Sequence, residues 1–313
     1  MTQVPGSTDQ SSNFGDAVRR LVRTSAAIST PFDERDHIDW EAFTQHAKWL
    51  LKSNITSVTL FGTTGEGSSL SLTERHQALD ILSNAGIALA STIYTARGLA
   101  ALEIASDCAY ALRAGCGAVL LAPPVTVGGL KNEGILRWYR SVFDHLDAEA
   151  RDIILYHIPS VTGVELTNEV VTLLRQEFPG VVVGVKVSST DWGYLNRLLN
   201  DHKDLAIIAS HEAHLARAIS LGASGTISGL ANFQPAIVCE LAKGRDDNRV
   251  LDLIKLVLSF PPVPTLKDLL AFVSGQDQWL RMRAPMTQLS ASDRKSLRDA
   301  YGKIFPSTNK VSN

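Results

Sequence analysis

The chain has 313 residues, of which 45% are hydrophobic and 20% are charged, and its formal net charge at pH 7 is −2. This charge balance gives no long-range attraction for nucleic acid or for an anionic membrane surface, so neither partner is expected. No apolar run reaches the roughly 20 residues that span a bilayer, and the polar N-terminus lacks the hydrophobic core of a signal peptide. We therefore expect a cytoplasmic protein.

The first residues are rich in Ser, Thr, Gln and Gly and show no hydrophobic periodicity, which predicts a flexible N-terminal extension over residues 1–22. Beyond it, short apolar runs alternate with amphipathic stretches, a rhythm typical of successive βα units and a parallel sheet. The predicted strands are residues 25–29, 57–61, 87–93, 118–121, 153–156, 181–186, 205–209 and 225–228. Eight units at this spacing favour a (β/α)8 barrel over residues 23–230 rather than an open sheet.

Helical patterns lie between the predicted strands, at residues 39–51, 73–84, 99–114, 132–145, 168–176, 191–199 and 212–221. After residue 230 the sequence shows no clear strand, and we expect a helical region over residues 231–313 that packs on the barrel. Its helical patterns are residues 235–242, 247–260, 265–273 and 291–305. Prolines at positions 261, 262 and 264 are predicted to separate two of these helices, because proline resists helix continuation.

Lys186 follows the run 181–185, which is predicted to be a strand buried on both faces. At the C-terminal end of such a strand, burial disfavours the ammonium form, and a neutral amine can form a Schiff base with a carbonyl group. Tyr156 ends a similar run, so the two polar tips are expected to meet. Taken alone, Lys186 can instead reach solvent or pair with Glu66 or Glu212, and Tyr156 can be an ordinary half-buried aromatic.

The segment Gly-Thr-Thr-Gly-Glu-Gly at residues 62–67 follows the predicted strand 57–61. Its glycines let the backbone approach a ligand closely, and the hydroxyls of Thr63 and Thr64, with nearby backbone N–H groups, can hold a carboxylate or phosphate. The alternative is a tight turn with solvated threonines. The segment lacks the P-loop lysine and does not fit GxGxxG, so it does not indicate nucleotide binding.

Two further polar segments follow predicted strands. His157 can act as a base, but a single histidine beside a proline segment is more typical of a structural residue. Glu212 can contact a substrate beyond its reacting carbonyl. The alternative is that Ser210 caps the following helix and that Glu212 interacts favourably with the helix dipole.

The cysteines and histidines indicate no metal or redox site. Cys108, Cys116 and Cys239 show no CxxC spacing and are expected to pack as small apolar residues. The segment His211-Glu212-Ala213-His214 does not have the HExxH spacing of a zinc site.

In combination, these segments resemble the dihydrodipicolinate synthase and N-acetylneuraminate lyase family of Schiff-base class I aldolases, over residues 26–305. The segments that carry the resemblance, in the family's order and spacing, are Thr30-Pro31-Phe32, Gly62 to Glu66, Tyr156 to Ser160 with Gly163, Gly184-Val185-Lys186, and Gly225 to Gly229. The resemblance implies a (β/α)8 TIM barrel with a C-terminal helical region, assembled as a homo-oligomer, either a dimer or a tetramer.

The resemblance also implies roles for the candidate residues. Lys186 would form the imine with pyruvate or a related 2-oxo acid, and Tyr156 would move protons at the reacting centre. Thr63 and Thr64, in the loop that begins at Gly62, would hold the substrate carboxylate or relay protons. The imine makes the adjacent methyl group acidic, and the resulting enamine attacks an aldehyde. This chemistry needs no metal or organic cofactor, so none is expected.

Two departures from the family pattern concern the second substrate. Dihydrodipicolinate synthases generally carry an arginine in the turn after the catalytic tyrosine, where this chain has Val161. They also carry a tyrosine pair after the fourth strand, one of which reaches a neighbouring subunit's site, where this chain reads Ala-Pro-Pro-Val at residues 122–125. Val161 is more like the apolar residue of the lyase and sugar-acid aldolase branches. Ser188 and Glu212 are candidates to bond substrate hydroxyls, and the backbone around Ile227 is expected to line the pocket.

The leading hypothesis is a pyruvate-dependent aldolase or lyase that makes or cleaves a C–C bond between pyruvate and an aldehyde. The compound that contains this bond would be a 2-keto-3-deoxy sugar acid or a related oxo acid. One alternative is a Schiff-base dehydratase or deaminase of a 2-oxo acid, suggested by the altered loop 122–125. A second is 4-hydroxy-tetrahydrodipicolinate synthase with a rearranged second-substrate site. A third is a non-catalytic ligand-binding barrel, against which a buried Lys186 argues, since such a lysine is costly without a use.

Overall fold

The structure is a computed structural model that describes residues 10–125 and 129–306, with only the backbone described for residues 10–15. Within these residues it contains the strands β1 (Ser25–Ala27), β2 (Ser57–Leu60), β3 (Thr92–Ala96), β4 (Ala118–Leu121), β5 (Ile153–His157), β6 (Val182–Val187), β7 (Ala206–Ala209) and β8 (Ile227–Ser228). They form one parallel sheet in the order β7-β6-β5-β4-β3-β2-β1-β8. A parallel bridge between Ile208 and Gly225 joins its two ends. The predicted (β/α)8 barrel is confirmed.

Helices follow the strands and cover the outside of the barrel. They are α2 (Trp40–Lys52), α3 (Leu72–Asn84), α4 (Ala101–Ala114), α5 (Asn132–Leu146), α6 (Pro159–Thr162), α7 (Asn168–Glu177), α8 (Trp192–Asp201) and α9 (Glu212–Ser220). The helices after β8 are α10 (Pro235–Leu241), α11 (Asn248–Leu258), α12 (Pro262–Ser274) and α13 (Ala291–Ile304). Helices α10 and α11 contact α9, and α13 packs on α11 and α12, so these helices form a layer on the barrel. Residues 307–313 of the predicted C-terminal region lie outside the described residues.

Side chains alternate between the inside and the outside of the barrel along each strand. Strand β3 shows this clearly, because all of its residues are buried but its apolar residues belong to two different clusters. Ile93 lies in the cluster that fills the barrel interior, with Ile154 and Ile208. Tyr94 and Ala96 lie in the larger cluster between the strands and the surrounding helices. Odd-numbered residues of β3 therefore point towards the barrel axis.

The N-terminal segment differs from the expected flexible extension. Residues 1–9 lie outside the described residues, but Gln10–Leu21 form a helix, α1. Val18, Leu21 and Val22 are buried in the cluster that fills the barrel interior. These few apolar side chains are enough to hold the helix because they enter a space that the barrel already shields from water.

Polar contacts fix α1 at the N-terminal end of the barrel. The guanidinium of Arg19 donates hydrogen bonds to the carbonyls of Lys203, at 2.8 Å, and Leu205, at 3.0 Å, just before β7 begins. It also donates to the hydroxyl of Ser224 at 2.9 Å. One arginine thus satisfies two backbone carbonyls in the segment before β7.

Strand β3 lies further along the chain than predicted. The sequence favours a strand over residues 87–93, whereas residues Leu89–Ser91 form a short 3-10 helix and the strand spans Thr92–Ala96. Ile87 is buried, so its apolar character reflects core packing rather than a place in the sheet. The threonines at 92 and 95 are fully buried in the strand, although their hydroxyls make the segment look polar.

The prolines after α11 do separate it from α12, but α12 begins at Pro262, three residues before the predicted start. The first turn of a helix does not use its N–H groups for internal hydrogen bonds, so Pro262 and Pro264 fit there without loss. Proline therefore marks the start of this helix rather than the gap before it.

A buried ion pair joins α12 to the loop 62–67. The ammonium of Lys267 lies 2.6 Å from Oε1 of Glu66, and the two side chains are 1% and 0% exposed. Lys267 Nζ also donates to the carbonyls of Thr30, at 2.8 Å, and Arg281. The second carboxylate oxygen of Glu66 accepts from the backbone N–H of Arg283 at 3.1 Å. The C-terminal helical layer thus fixes a loop at the C-terminal end of the barrel.

Candidate active site

Lys186 and Tyr156 meet at the C-terminal end of the barrel interior. They are direct partners in the pairing of β5 with β6. Lys186 Nζ donates a hydrogen bond of 2.8 Å to the Tyr156 hydroxyl and lies 4.0 Å from the centre of the tyrosine ring. The side chains are 5% and 3% exposed. An amine held this close to a phenol has a proton donor and acceptor within reach of any carbonyl that it attacks.

The electrostatic surroundings favour ionisation of Tyr156. Burial raises the pKa of its phenol, but this effect is outweighed by the charge and hydrogen bond of Lys186, a hydrogen bond from Ser188 and the charge of Arg97. The net result is a pKa below the ordinary value of 10.0. A phenol of this kind gives up and takes back a proton more readily than a free tyrosine.

The loop 62–67 follows β2 and folds back on itself. The backbone N–H of Glu66 donates to the carbonyl of Thr63 at 3.1 Å, and that of Gly67 donates to the carbonyl of Gly62 at 3.2 Å. A Cβ atom on Gly67 would lie 1.8 Å from the carbonyl oxygen of Phe61, so only glycine fits there. Glu66 has a positive φ of 54°, which its ion pair with Lys267 supports.

The predicted threonines both lie on this loop and are both half-buried. The Thr63 hydroxyl is buried and has no hydrogen-bond partner among the described residues. Thr64 lines the open cleft above the barrel. A buried hydroxyl without a partner is costly, so Thr63 is well suited to bond a substrate oxygen. Gly62 leaves space beside it, because a Cβ there would meet only the Thr95 hydroxyl, at 3.9 Å.

A cleft of about 430 Å³ opens beside these groups at the C-terminal ends of the strands. Its wall is rich in hydroxyl groups, with Ser188, Ser189 and Thr190 after β6 and Ser210 after β7. The apolar side of the cleft comes from the C-terminal helices, through Ile254, Val257, Leu258 and Leu266. Of the predicted binding residues, Ser188 and Glu212 line it with Thr64. The structure therefore combines polar groups from the barrel with an apolar cover from the added layer.

Glu212 lies at the start of α9 and reaches into the cleft. Its Oε1 accepts a hydrogen bond of 2.6 Å from the hydroxyl of Ser228. Burial raises the pKa of the carboxyl group, opposed in part by that hydrogen bond and by the charge of Lys186. The charge of Lys186 therefore acts on the Glu212 carboxyl group.

Ser210 does not cap α9, in contrast to one interpretation of the sequence. His211 occupies the N-cap position without a side-chain hydrogen bond, and the Ser210 hydroxyl has no partner among the described residues.

His157 is buried and stacks on Tyr194, with 4.1 Å between ring centres. Burial lowers the pKa of His157 to about 4, so it is neutral at physiological pH.

The other predicted positions lie at the margins of the cleft. The side chain of Ile227 is buried in the barrel interior, and the cleft itself is lined by Gly229 and Leu230 further along the chain. Val161, in α6, is 43% exposed, and Val125, in the altered loop after β4, is 50% exposed. The places that carry an arginine and tyrosines in dihydrodipicolinate synthases thus present apolar side chains here.

Arg97 is a residue of the site that the sequence analysis missed. It comes directly after β3, and its Nη1 donates a hydrogen bond of 2.6 Å to Ser68, next to the loop 62–67. Its charge acts on Tyr156. The position after the strand end was the available signal, but the predicted strand 87–93 ended too early to reveal it.

The described residues contain no group of three or more His, Cys, Asp or Glu side chains arranged to hold a metal ion. Cys108, Cys116 and Cys239 are free and buried. Within the same part of the chain, no helix has both the length and the apolar character needed to cross a membrane.

Comparison with known proteins gives consistent matches along most of the chain. The sequence model of the Dihydrodipicolinate synthetase family matches residues 20–303. An uncharacterized DapA-like lyase from Chloroflexus aurantiacus is 32% identical over 293 residues, covering 90% of this chain and 97% of that protein. The 4-hydroxy-tetrahydrodipicolinate synthase of Staphylococcus carnosus is 28% identical over 302 residues, and the match covers 91% of this chain and 97% of that protein.

A crystal structure agrees with these matches. The structure of dihydrodipicolinate synthase from Agrobacterium tumefaciens superposes with a TM-score of 0.89 at 41% identity, covering 90% of this chain and 99% of that one. The strand-end lysine and tyrosine, the threonine loop and the extent of these matches point to the same conclusion. The chain belongs to the dihydrodipicolinate synthetase family of class I aldolases.

Proposed function

We propose that this protein is a pyruvate-dependent aldolase or lyase whose second substrate is a hydroxylated aldehyde, so that a 2-keto-3-deoxy sugar acid or a related oxo acid is made or cleaved. Family membership makes it a carbon–carbon lyase. The observation that carries the proposal is the 2.8 Å contact between Lys186 Nζ and the Tyr156 hydroxyl, beside a cleft with a hydroxyl-rich wall.

The reaction begins at Lys186. Its neutral amine attacks C2 of pyruvate, and Tyr156 supplies the proton with which the former carbonyl oxygen leaves as water. The product is an iminium ion in which the nitrogen carries the positive charge. We assign the pyruvate carboxylate to the buried Thr63 hydroxyl, which has no hydrogen-bond partner among the described residues.

The iminium nitrogen then accepts the electron pair of a C–H bond at C3, which gives an enamine when the proton leaves. The enamine carbon attacks the carbonyl carbon of the aldehyde, and a proton delivered through Tyr156 converts the new alkoxide into a hydroxyl. Water hydrolyses the second iminium and releases Lys186. Cleavage follows the same steps in reverse, so one set of residues serves both directions.

The choice of partner rests on the cleft and on the two departures from the family pattern. Ser188 and Ser189 supply hydroxyls that can bond a polyhydroxylated chain, with Glu212 as an acceptor. Val161 stands where dihydrodipicolinate synthases have an arginine. These features favour an aldehyde with hydroxyl groups.

4-Hydroxy-tetrahydrodipicolinate synthase is a second candidate, because the Staphylococcus carnosus relative and the Agrobacterium tumefaciens structure carry that function in their names. Rescue of a strain that requires diaminopimelate would favour it, and failure of a well-expressed protein would count against it. Product analysis separates both candidates from a dehydratase or deaminase, which releases water or ammonia and no pyruvate.

The decisive experiment is borohydride reduction in the presence of pyruvate, followed by mass spectrometry of the intact protein and its peptides. We expect a pyruvyl adduct on the Lys186 peptide and none in Lys186→Ala. Lys255→Ala is a suitable control, since the Lys255 side chain is 77% exposed on α11. Absence of an adduct in the folded wild-type protein would exclude the imine mechanism.

We also propose that the protein acts as a homo-oligomer in the cytoplasm. Leu99, just before α4, and Leu102, in its first turn, are 62% and 60% exposed, and two exposed leucines this close together fit a contact between subunits. Sedimentation equilibrium tests the assembly, and a monomer at micromolar concentration would contradict it.

A further inference from the structure

A second cavity, of about 320 Å³, lies between α2 and α12. His46 and Trp49 line it on the α2 side, and Phe233, Leu270 and Trp279 line it on the other. It shares no lining residue with the cleft that opens beside Lys186. Small-molecule sites in proteins generally have volumes of about 300–1,000 Å³, so this cavity is large enough to hold a ligand of its own.

Aromatic rings form one wall of the cavity. The imidazole of His46 contacts Trp49, with 5.5 Å between ring centres and 15° between the planes, and Trp279, with 4.7 Å between ring centres. Trp279 is 1% exposed, whereas Trp49 is 39% exposed. A tryptophan that borders a cavity and is partly open to solvent has ring surface available for another flat ring. This wall therefore favours an aromatic ligand.

The residues that line the cavity, all of them in the described part of the chain, carry no charge at neutral pH. Gln45, Ser274 and Gln276 supply neutral polar groups. Burial lowers the pKa of His46 to about 4, so its imidazole is neutral as well. A carboxylate in this cavity would lose hydration and gain no counter-ion. The cavity is thus unsuited to pyruvate and other oxo acids and suited to an uncharged compound.

Hydrogen bonds to Asn232 fix which nitrogen of His46 carries the proton. The Asn232 side-chain amide nitrogen donates to the carbonyls of Ala27 and Gly229, each at 2.8 Å. Its oxygen, Oδ1, accepts from the backbone N–H of Ser29 at 3.0 Å. His46 Nε2 lies 3.0 Å from the same Oδ1, so Nε2 carries the proton and donates it. Nδ1 of the neutral ring is then an acceptor, and no described residue donates to it.

We propose that this cavity is a binding site for a flat, uncharged aromatic compound that carries one N–H or O–H group, and that this group donates a hydrogen bond to Nδ1 of His46. Trp49 and Trp279 contact the aromatic ring, and the hydrogen bond sets its orientation. The inference is independent of the aldolase reaction, because the cavity and the cleft share no lining residue.

Indole and benzofuran are the probes, because they share one bicyclic shape and differ in a ring N–H against a ring oxygen. Titration calorimetry of the full chain should give a Kd for indole below about 1 mM, which is modest for a ligand of this size. The Kd for benzofuran should be at least about threefold higher, because it lacks one neutral hydrogen bond. In His46→Phe the two compounds should bind within about twofold of each other, since phenylalanine keeps an aromatic ring but has no acceptor.

Trp49→Ala tests where indole binds, and Trp40→Ala is the matched control. Both variants remove a tryptophan from α2, but Trp40 does not line the cavity. Trp49→Ala should raise the Kd for indole at least about threefold, the loss of one aromatic contact, whereas Trp40→Ala should leave it within about twofold. An unchanged Kd in Trp49→Ala would place indole elsewhere on the protein and overturn the inference.

Two results with the wild-type protein would also overturn it. A Kd for indole above about 1 mM would mean that the cavity does not select this class of compound. Binding of benzofuran within about twofold of indole would mean that Nδ1 of His46 accepts no hydrogen bond from the ligand. The comparison of two probes on the same protein does not depend on the stability of any variant.

Discussion

Replacing Lys267 by methionine tests whether the C-terminal layer holds the substrate loop in place. In the native protein the Lys267 ammonium donates to Glu66 at 2.6 Å and to the Thr30 carbonyl at 2.8 Å, with the Arg281 carbonyl as a third acceptor. In Lys267→Met the Glu66 carboxylate stays buried and keeps only the backbone N–H of Arg283. The variant therefore removes the ion-pair partner of Glu66 and leaves its carboxylate with one hydrogen bond among the described residues.

The expected loss is large. Removing one member of a buried ion pair costs about 3–5 kcal/mol, because the remaining charge is left in a medium that solvates it poorly. The free energy of unfolding of a typical protein is roughly 5–15 kcal/mol, so Lys267→Met should remove a large part of it. The double variant with Glu66→Gln carries neither charge, and its loss should be smaller than the sum of the two single losses by at least about 1 kcal/mol.

Urea unfolding, followed by tryptophan fluorescence, measures these energies for the four proteins of the cycle. Trp279 is buried three residues after Gln276 in the segment that follows α12, so its emission reports on this layer. Lys255→Met is the control, since this lysine is 77% exposed, and its effect should stay within about 0.5 kcal/mol. A loss below about 1 kcal/mol for Lys267→Met, or single losses that add within about 0.3 kcal/mol, would refute the role given to the pair.

Two further predictions concern the reacting centre and the response to acid. Tyr156→Phe should lower kcat by about 10²- to 10⁴-fold, because it removes the proton donor beside Lys186; a rate within threefold of the wild type would contradict this role. The Arg283 hydrogen bond lowers the pKa of Glu74 from 4.5 to about 2, so the stabilisation from this carboxylate is complete above pH 4.5 and is lost as the pH falls towards 2. Thermal unfolding temperatures between pH 5 and 2 should therefore fall more steeply for the wild type than for Glu74→Gln, and equal slopes would count against the assignment.

The barrel was predictable because a strand that is buried on both faces has a simple sequence pattern, a nearly continuous apolar run. Strands Ile153–His157 and Val182–Val187 are nearly continuous apolar runs with one functional residue, Tyr156 or Lys186, in the second-last position, so strand and site were visible together. Strand β3 lacks this signal, since buried threonines at 92 and 95 alternate with apolar residues and with Tyr94. The same error that misplaced this strand also concealed Arg97, which comes one residue after its true end.

The features that could not be predicted from the sequence depend on tertiary contacts. Helix α1 has only a few apolar side chains, and nothing local shows that Val18 and Val22 enter the barrel interior. Lys267 and Glu66 form a pair although they are 201 positions apart in the sequence. Taken alone, each of these charged residues would be expected at the protein surface. The direction of a side chain and the identity of a distant partner follow from the closed barrel, which single-sequence patterns do not encode.

The position of α1 has a consequence for the order in which the molecule is completed. Arg19 is bonded to Ser224, 205 residues later, so the helix is synthesised long before its docking surface exists. At a synthesis rate of about 5–20 residues per second, this interval lasts about 10–40 s. During that time the apolar cluster that buries Val18 and Leu21 lacks its later members, such as Ile208. Helix α1 is thus synthesised before the barrel strands but is among the last of the described elements to dock, because its docking requires a closed barrel.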